Sequence, residues 1–318
     1  MPEAWVARVT ESAGGGSLTI AHIESLVGGA GADAITLTDP LASQSLDLGD
    51  GADRLTLANA ANAASLFNIE TVVGGSGADA ITLSTAMAGG SVDLGAGADV
   101  LTLGDVSNSL TVAHVETVTG GIGDDAVTLS APLFNGAVDL GAGSDTLKLG
   151  NFTNVVTIAN VETVTGGAGA DTLTVASGTA AMIIGGGGVD HITGHDGDLF
   201  VFDQKAAASY STIMNFNEAG GDRIGLDTGG DTTLAVDAYS LTGPLEDGVN
   251  ITSAADSSAL HVAALDTGGG GGFVYEQDTG GLYYSATGDF TGGGVLIGVI
   301  TTNGSTPWTY DFAAFREV

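Results

Sequence analysis

One phrase returns four times in this chain at a fixed interval. Gly28-Gly29-Ala30-Gly31-Ala32-Asp33 leads into Ala34-Ile35-Thr36-Leu37, and its counterparts close at Asp79, Asp125 and Asp171, each 46 residues after the last. A shorter form, Gly49-Asp50-Gly51-Ala52-Asp53, returns at the same interval to close at Asp99 and Asp145. A period held that strictly means stacked units, each burying its apolar face only against its neighbours. Ile35 and Leu37 flank Thr36, the alternation of a strand with its aliphatic residues on one face.

The phrase has its own chemistry. Glycines at alternate positions let the backbone take φ > 0 and turn its carbonyls inward, and the closing Asp adds a carboxylate. Together they form an oxygen-lined concavity suited to a hard cation such as calcium. The candidate ligands are Gly28, Gly31 and Asp33 with Gly49, Gly51 and Asp53 in the first unit. Gly74, Gly77, Asp79, Gly95, Gly97 and Asp99 occupy the same places in the second, and Gly120, Gly123, Asp125, Gly141, Gly143 and Asp145 in the third. Gly166, Gly169 and Asp171 open the fourth, followed by Gly185, Gly188 and Asp190, then by Asp198. The competing reading is a carboxylate that caps its own turn through local hydrogen bonds. Identical carboxylates stacked about 5 Å apart repel unless a cation lies between them, which favours calcium.

The Gly-Gly-x-Gly-x-Asp turn followed by an alternating strand resembles the repeat of the RTX (hemolysin-type calcium-binding) family. That resemblance implies an all-β, right-handed parallel β-roll or β-solenoid with calcium between adjacent Gly-rich turns. Asp198-Leu199-Phe200-Val201-Phe202-Asp203, with Ile213–Phe216 and Asp222–Leu226, resembles the segment that closes such a roll. The stretch from Phe273 to Phe312 resembles the ending of type I secreted members, which carries an uncleaved export signal. Met1-Pro2-Glu3-Ala4-Trp5 has neither a basic region nor an apolar core, so no cleaved signal peptide is expected. The organisation that follows is an irregular segment over 1–16, a calcium-binding solenoid over 17–198, and a β-rich cap with the secretion region over 199–318.

Within each unit the pattern predicts four strands, Ala34–Leu37, Ser45–Leu48, Arg54–Leu57 and Ser65–Val73 in the first. Four strands make two coils, so every Gly-Asp turn is expected on one edge, with about seven cations shared between stacked turns. Ile35, Leu55, Ile81, Leu101, Val127, Leu147 and Leu173 are expected to form one continuous inward column, with Thr36 and its counterparts facing out. The variable connections, such as Thr38–Gln44 and Ser84–Gly90, then fall on the other edge, where partner contacts belong. Three further positions recur every 46 residues. Asp47, Asp93 and Asp139 read as a solvated strand face, and Glu24, Glu70, Glu116 and Glu162 as surface ladder positions. His22, Asn68, His114 and Asn160 share one place, read as a preference for a polar hydrogen-bonding residue rather than a transition-metal ligand.

Charge narrows the function. Six Lys and Arg stand against 38 Asp and Glu, for a formal net charge of −32, the wrong sign for binding phosphate backbones, so no nucleic-acid partner is expected. No run is long enough for a transmembrane helix. There is no His-Glu-x-x-His, no Gly-x-Ser-x-Gly and no Cys, and no acid pair stands out from the repeats, so the chain reads as non-enzymatic. The expected partners are calcium ions, a type I secretion apparatus, and cell-surface polysaccharide or further copies of the chain. The expected location is secreted or on a bacterial cell surface, in a structural, adhesive or surface-layer-like role. The alternative is the calcium module and export signal of a larger secreted enzyme or toxin.

Overall fold

The computed structural model describes residues 8–10, 14–203, 211–227, 262–266, 272–276, 281–285, 295–301 and 315–317. It is an all-β fold whose parallel strands stack as a β-solenoid, and the one helical element among the described residues is the 3-10 turn Glu218–Gly220. The chain forms two compact units, Met1–Gly150 with Asn154–Thr163, and Asn151–Thr153 with Val164–Val318.

In the first unit successive strands alternate between two parallel sheets. One sheet stacks Ser25–Gly29, Ala42–Gly49, Ala63–Phe67, Ala80–Leu83, Val100–Thr102, Thr117–Gly121, Phe134–Gly141 and Val155–Ala159. The other stacks Ser17–Ile20, Ala34–Leu37, Arg54–Thr56, Thr71–Gly75, Ala88–Gly95, Ser109–Ala113, Ala126–Leu129 and Thr146–Lys148. Alternate side chains of each strand meet between the sheets, where Leu46, Leu55, Leu66, Val72, Leu94 and Leu101 are all 0–1% exposed. Burying each such side chain contributes about 1.5–3 kcal/mol. Arg8–Thr10, inside the stretch expected to be irregular, is a strand paired with Ser25–Val27.

Each 46-residue unit holds five strands, which corrects the expected four. The apparent strand Ser65–Val73 is two, Ala63–Phe67 and Thr71–Gly75, broken at Asn68. Asn68 has φ 49°, and His114, Asn160 and His22 at the equivalent place have φ 49°, 50° and 54°. Asn and His tolerate this left-handed region better than most residues, which is why these two types share the position. Each is tied to a neighbouring coil. Asn68 Nδ2 donates to Asp47 Oδ1 and Asn160 Nδ2 to Asp139 Oδ1, both at 2.8 Å, and His114 Nδ1 lies 2.8 Å from Asp93 Oδ1. Asp47, Asp93 and Asp139 are therefore fasteners of this extra corner.

Five strands make two and a half coils. The 92 residues from Asp33 to Asp125 complete five coils, about 18 residues each. The corners at Asp33 and Asp53 lead from the first sheet to the second, those at Asp79 and Asp99 lead back, and those at Asp125 and Asp145 lead forward again. The Gly-Asp turns therefore stack in pairs that alternate between the two edges, which corrects the one-edge arrangement. The aliphatic column breaks for the same reason. Ile35 pairs with Leu55 and Ile81 with Leu101, but Leu55 continues to Val72 and Leu101 to Val118. The outward Thr residues are split likewise between the sheets.

In the second unit parallel pairing continues past Asp198, the expected end of the array. Thr172–Thr174 pairs with His191–Thr193, His191–Thr193 with Thr212–Met214, and Leu199–Asp203 with Arg223–Asp227. Phe200 and Phe216, 0% and 2% exposed, pack with ring centroids 6.1 Å apart. The expected β-rich cap follows. Val262–Asp266, Gly272–Glu276, Gly281–Ser285 and Val295–Ile300 form an antiparallel meander, whose last strand pairs in parallel with Ser211–Ile213. Trp5, residues 230–261 and most of the expected glycine break at 268–272 lie outside the described residues.

Replacing Asn68 by Val forces a β-branched residue into the left-handed region and removes the bond to Asp47, so it should cost about 1–3 kcal/mol. Asn68→Gly, which keeps the backbone relaxed, should cost less. Denaturant midpoints of the two variants in calcium decide it, and equal midpoints would show that the extra corner is not a conformational constraint.

Candidate metal centres

Every corner Asp turns its carboxylate into the stack. Asp33, Asp53, Asp79, Asp99, Asp125, Asp145, Asp171 and Asp190 are 0–2% exposed. The Oδ1 atoms of Asp33, Asp53, Asp79, Asp99, Asp125, Asp145 and Asp190 do not cap their own turns but reach the coil before. Asp53 Oδ1 accepts the Asp33 N–H at 2.8 Å, Asp99 the Asp79 N–H at 2.7 Å, and Asp145 the Asp125 N–H at 2.7 Å. In the second unit Asp190 accepts the Asp171 N–H at 3.0 Å.

Residues that sequence reasoning passed over, or read as surface positions, extend this ladder in both directions. At its foot the backbone and side-chain N–H groups of Asn62 both donate to Asp79 Oδ1 at 2.8 Å, and those of Asn108 to Asp125 Oδ1 at 2.9 Å. At its head Glu70 Oε2 accepts the Asp53 N–H, Glu116 the Asp99 N–H and Glu162 the Asp145 N–H, at 2.8, 2.8 and 2.7 Å. These glutamates are half-buried, which corrects their reading as surface positions. The signal was the same 46-residue period, carried by Asn62, Asn108 and Asn154 as well as by the acids.

One oxygen of each Asp is thus spent on an amide. The other, Oδ2 of Asp53, Asp79, Asp99 and Asp145, is buried with no hydrogen-bond partner. A buried charged oxygen left alone is costly, and burial accordingly pushes the carboxyls of Asp53, Asp99 and Asp145 above the ordinary range, against the lowering effect of the backbone amides. At Asp33 and Asp190 the second oxygen accepts the Gly29 N–H at 3.4 Å and the Ser211 hydroxyl at 2.9 Å, and Asp198 and Asp222 differ too. Asp198 takes the N–H groups of Ala181 and His195, and Asp222 those of Gly197, Asp198 and Asn217. Asp198, a candidate ligand on sequence, therefore has both oxygens engaged. Burial holds the Asp222 carboxyl up at about 6.

The glycines explain themselves by what a side chain would strike. A Cβ on Gly97 would stand 2.4 Å from Gly77 O and 2.7 Å from Asp99 Oδ1, and one on Gly51 would stand 2.7 Å from Gly31 O and 2.6 Å from Asp53 Oδ1. Gly143 repeats this with Gly123 O at 2.6 Å and Asp145 Oδ1 at 3.0 Å. On Gly28, Gly74 and Gly120 it would meet Leu48 O, Leu94 O and Leu140 O at 1.9–2.2 Å. Gly49, Gly95 and Gly141 hold φ near 88°, where L side chains are strained. Two stacked turns thus bring carbonyls and a carboxylate into one small space.

The donor set is all oxygen, which fits a hard cation and excludes a soft one. Among the described residues no group of three or more His, Cys, Asp or Glu side chains is placed to hold a metal ion, so a cation here must draw on backbone carbonyls. The topology gives four stacked Asp pairs, 33 with 53, 79 with 99, 125 with 145, and 171 with 190. No protein-family model, curated protein or solved structure matches this chain.

The pKa directions set a pH dependence for the metal-free protein. A carboxyl raised in the folded state holds its proton more tightly folded than unfolded. Its contribution is therefore complete below the ordinary value of 3.8 and is lost as pH rises through the folded value, with Asp222 near 6 marking the upper end. The thermal midpoint without calcium should fall between about pH 4 and pH 7. A midpoint that climbs across that window would contradict the burial of these groups.

Proposed function

We propose that this chain is a calcium-dependent extracellular scaffold whose coils are completed by calcium held between stacked Gly-Asp turns. The observation that carries the reading is the set of fully buried Asp oxygens without hydrogen-bond partners, at corners where glycine admits converging carbonyls. Buried charge persists only when it is paired or coordinated, and 6 basic residues cannot pair 38 acids. Bound calcium would supply the missing positive charge, held by Asp53, Asp79, Asp99 and Asp145 through their second oxygen and by the glycine carbonyls of the two turns.

The role is structural, adhesive or surface-layer-like rather than catalytic. Extracellular modules bind calcium at roughly 0.1–1 mM, far above cytosolic levels. In low calcium the acidic corners repel and a chain with 53 Gly loses much backbone entropy on ordering, so it stays unfolded and exportable. Outside the cell binding becomes folding free energy. Circular dichroism should show little β signal in chelator and a cooperative gain on adding calcium, with the midpoint shifted to higher calcium in Asp99→Asn. A complete β spectrum in chelator at neutral pH would refute the switch.

The resemblance of the C-terminal region to type I secreted proteins supports export through that route. Deleting residues 273–318 should abolish export by a type I apparatus. Undiminished export of the shortened chain would reassign the signal.

A further inference from the structure

We infer that Glu70, Glu116 and Glu162 are calcium ligands that close a second cation position, between each upper Gly-Asp turn and the coil that follows it. The inference rests on the calcium reading above and extends it to residues and intervals outside the Gly-Asp turns.

The glutamate repeats the geometry of the Asp pair one coil further on. Asp53 Oδ1 lies 2.8 Å from Asp33 N, and Glu70 Oε2 lies 2.8 Å from Asp53 N. The corresponding distances are 2.7 and 2.8 Å at Asp79, Asp99 and Glu116, and 2.7 and 2.7 Å at Asp125, Asp145 and Glu162. Each upper carboxylate is thus anchored on the backbone nitrogen of an acid whose own carboxylate hangs from the adjacent Cα. Three carboxylates line one corner column over successive coils. The middle one is the most deeply buried, with Asp53, Asp99 and Asp145 at 0%, 0% and 1% exposure and each with an Oδ2 that has no hydrogen-bond partner. The Asp that carries it is bonded to an acidic residue on the coil to either side.

Hydrogen bonding alone does not call for a carboxylate at the head of the ladder. At the foot, where the residue accepts one N–H and also donates to the Asp of the next coil, the chain uses an amide. Asn62 Oδ1 accepts the Leu41 N–H at 3.1 Å, and Asn108 and Asn154 do the same for Met87 and Leu133 at 3.0 Å. A Gln at the head would serve the Asp N–H equally well and would spare a like-charge contact with the buried Asp. Placing Glu there adds a third negative charge to a column that one divalent ion, set between the two Asp residues, leaves negative. A second ion held by the Glu carboxylate and the upper Gly-Asp turn more than offsets that charge, leaving a single positive charge on the column in a chain whose net charge is −32. Glu24 is an internal control, because it occupies the same repeat position but is exposed and follows no Gly-Asp turn among the described residues.

The test uses the full chain folded in saturating calcium, with bound metal counted by equilibrium dialysis and elemental analysis. Glu→Gln keeps the acceptor for the Asp N–H while removing the charge. The combined variant E70Q/E116Q/E162Q should hold three fewer calcium ions per chain than the wild type, and E24Q should hold the same number. Equal stoichiometry and affinity in the combined variant would overturn the inference while leaving calcium between the Asp pairs intact. A wild type that binds no calcium would refute the underlying reading itself. Should the combined variant fail to fold, the unaltered chain carrying 13C-labelled glutamate carboxyls decides the matter. Calcium should shift its glutamate carboxylate stretching bands in the infrared, and an unshifted spectrum would overturn the assignment.

Discussion

The structure depends on one contact made repeatedly, the corner amide of one coil donating to a side-chain oxygen of the next. Strands in a solenoid satisfy their backbones through the sheets, but corners leave amides with no ladder partner. Here Asn, Asp, Asp and Glu claim those amides in a fixed order, as in Leu41 to Asn62, Asn62 to Asp79, Asp79 to Asp99 and Asp99 to Glu116. Everything else at the corner answers to this contact. Carboxylates drawn inward to reach an amide become buried, and stacked turns held this close leave no room for a Cβ at Gly51 or Gly97.

A ladder built of acids is an unusual choice electrostatically. An uncharged amide could hold the same backbone donor, as Asn62 and Asn108 do. Choosing carboxylates makes the coil stack conditional on whatever neutralises them, whether a proton or a metal ion. On the proposed reading, protons and cations compete for the same oxygens and either one stabilises the folded state. The raised carboxyls of Asp53, Asp99, Asp145 and Asp222 favour the folded state in acid, the reverse of the usual contribution of carboxylate-stabilised domains.

Much of this was legible from the chain. The aliphatic alternation of Ile35 and Leu37 and the Gly-Asp turns announced parallel stacked strands, and both observations stand in the fold. What escaped was the break at Asn68. Ser65–Val73 reads as one strand from its aliphatic content, although Leu66, Ile69 and Val72 stand three residues apart, and that lapse from period-two alternation is the mark of the corner. Missing one corner per unit turned five strands into four and placed every turn on one edge. The roles of Glu70 and Asn62 escaped for another reason, because their partners lie 17 residues away and local patterning cannot see them. Asp222, 24 residues beyond Asp198, follows no fixed interval at all.

The half-integer coil count constrains how such a chain can grow. A tandem duplication of one 46-residue unit is not a pure translation along the stack. It carries every downstream element through half a revolution, so that strands formerly in one sheet join the other. Aliphatic alternation survives, since both sheets face a common interior, and so genetic addition of a unit need not damage the core. What changes is the angular position of surface features, so that a chain lengthened by single units would display its loops in a staggered, two-start order. Only insertions of 92 residues would restore the original bearing. A gene that drifts in repeat number can thus re-aim its exposed loops without altering a residue in them.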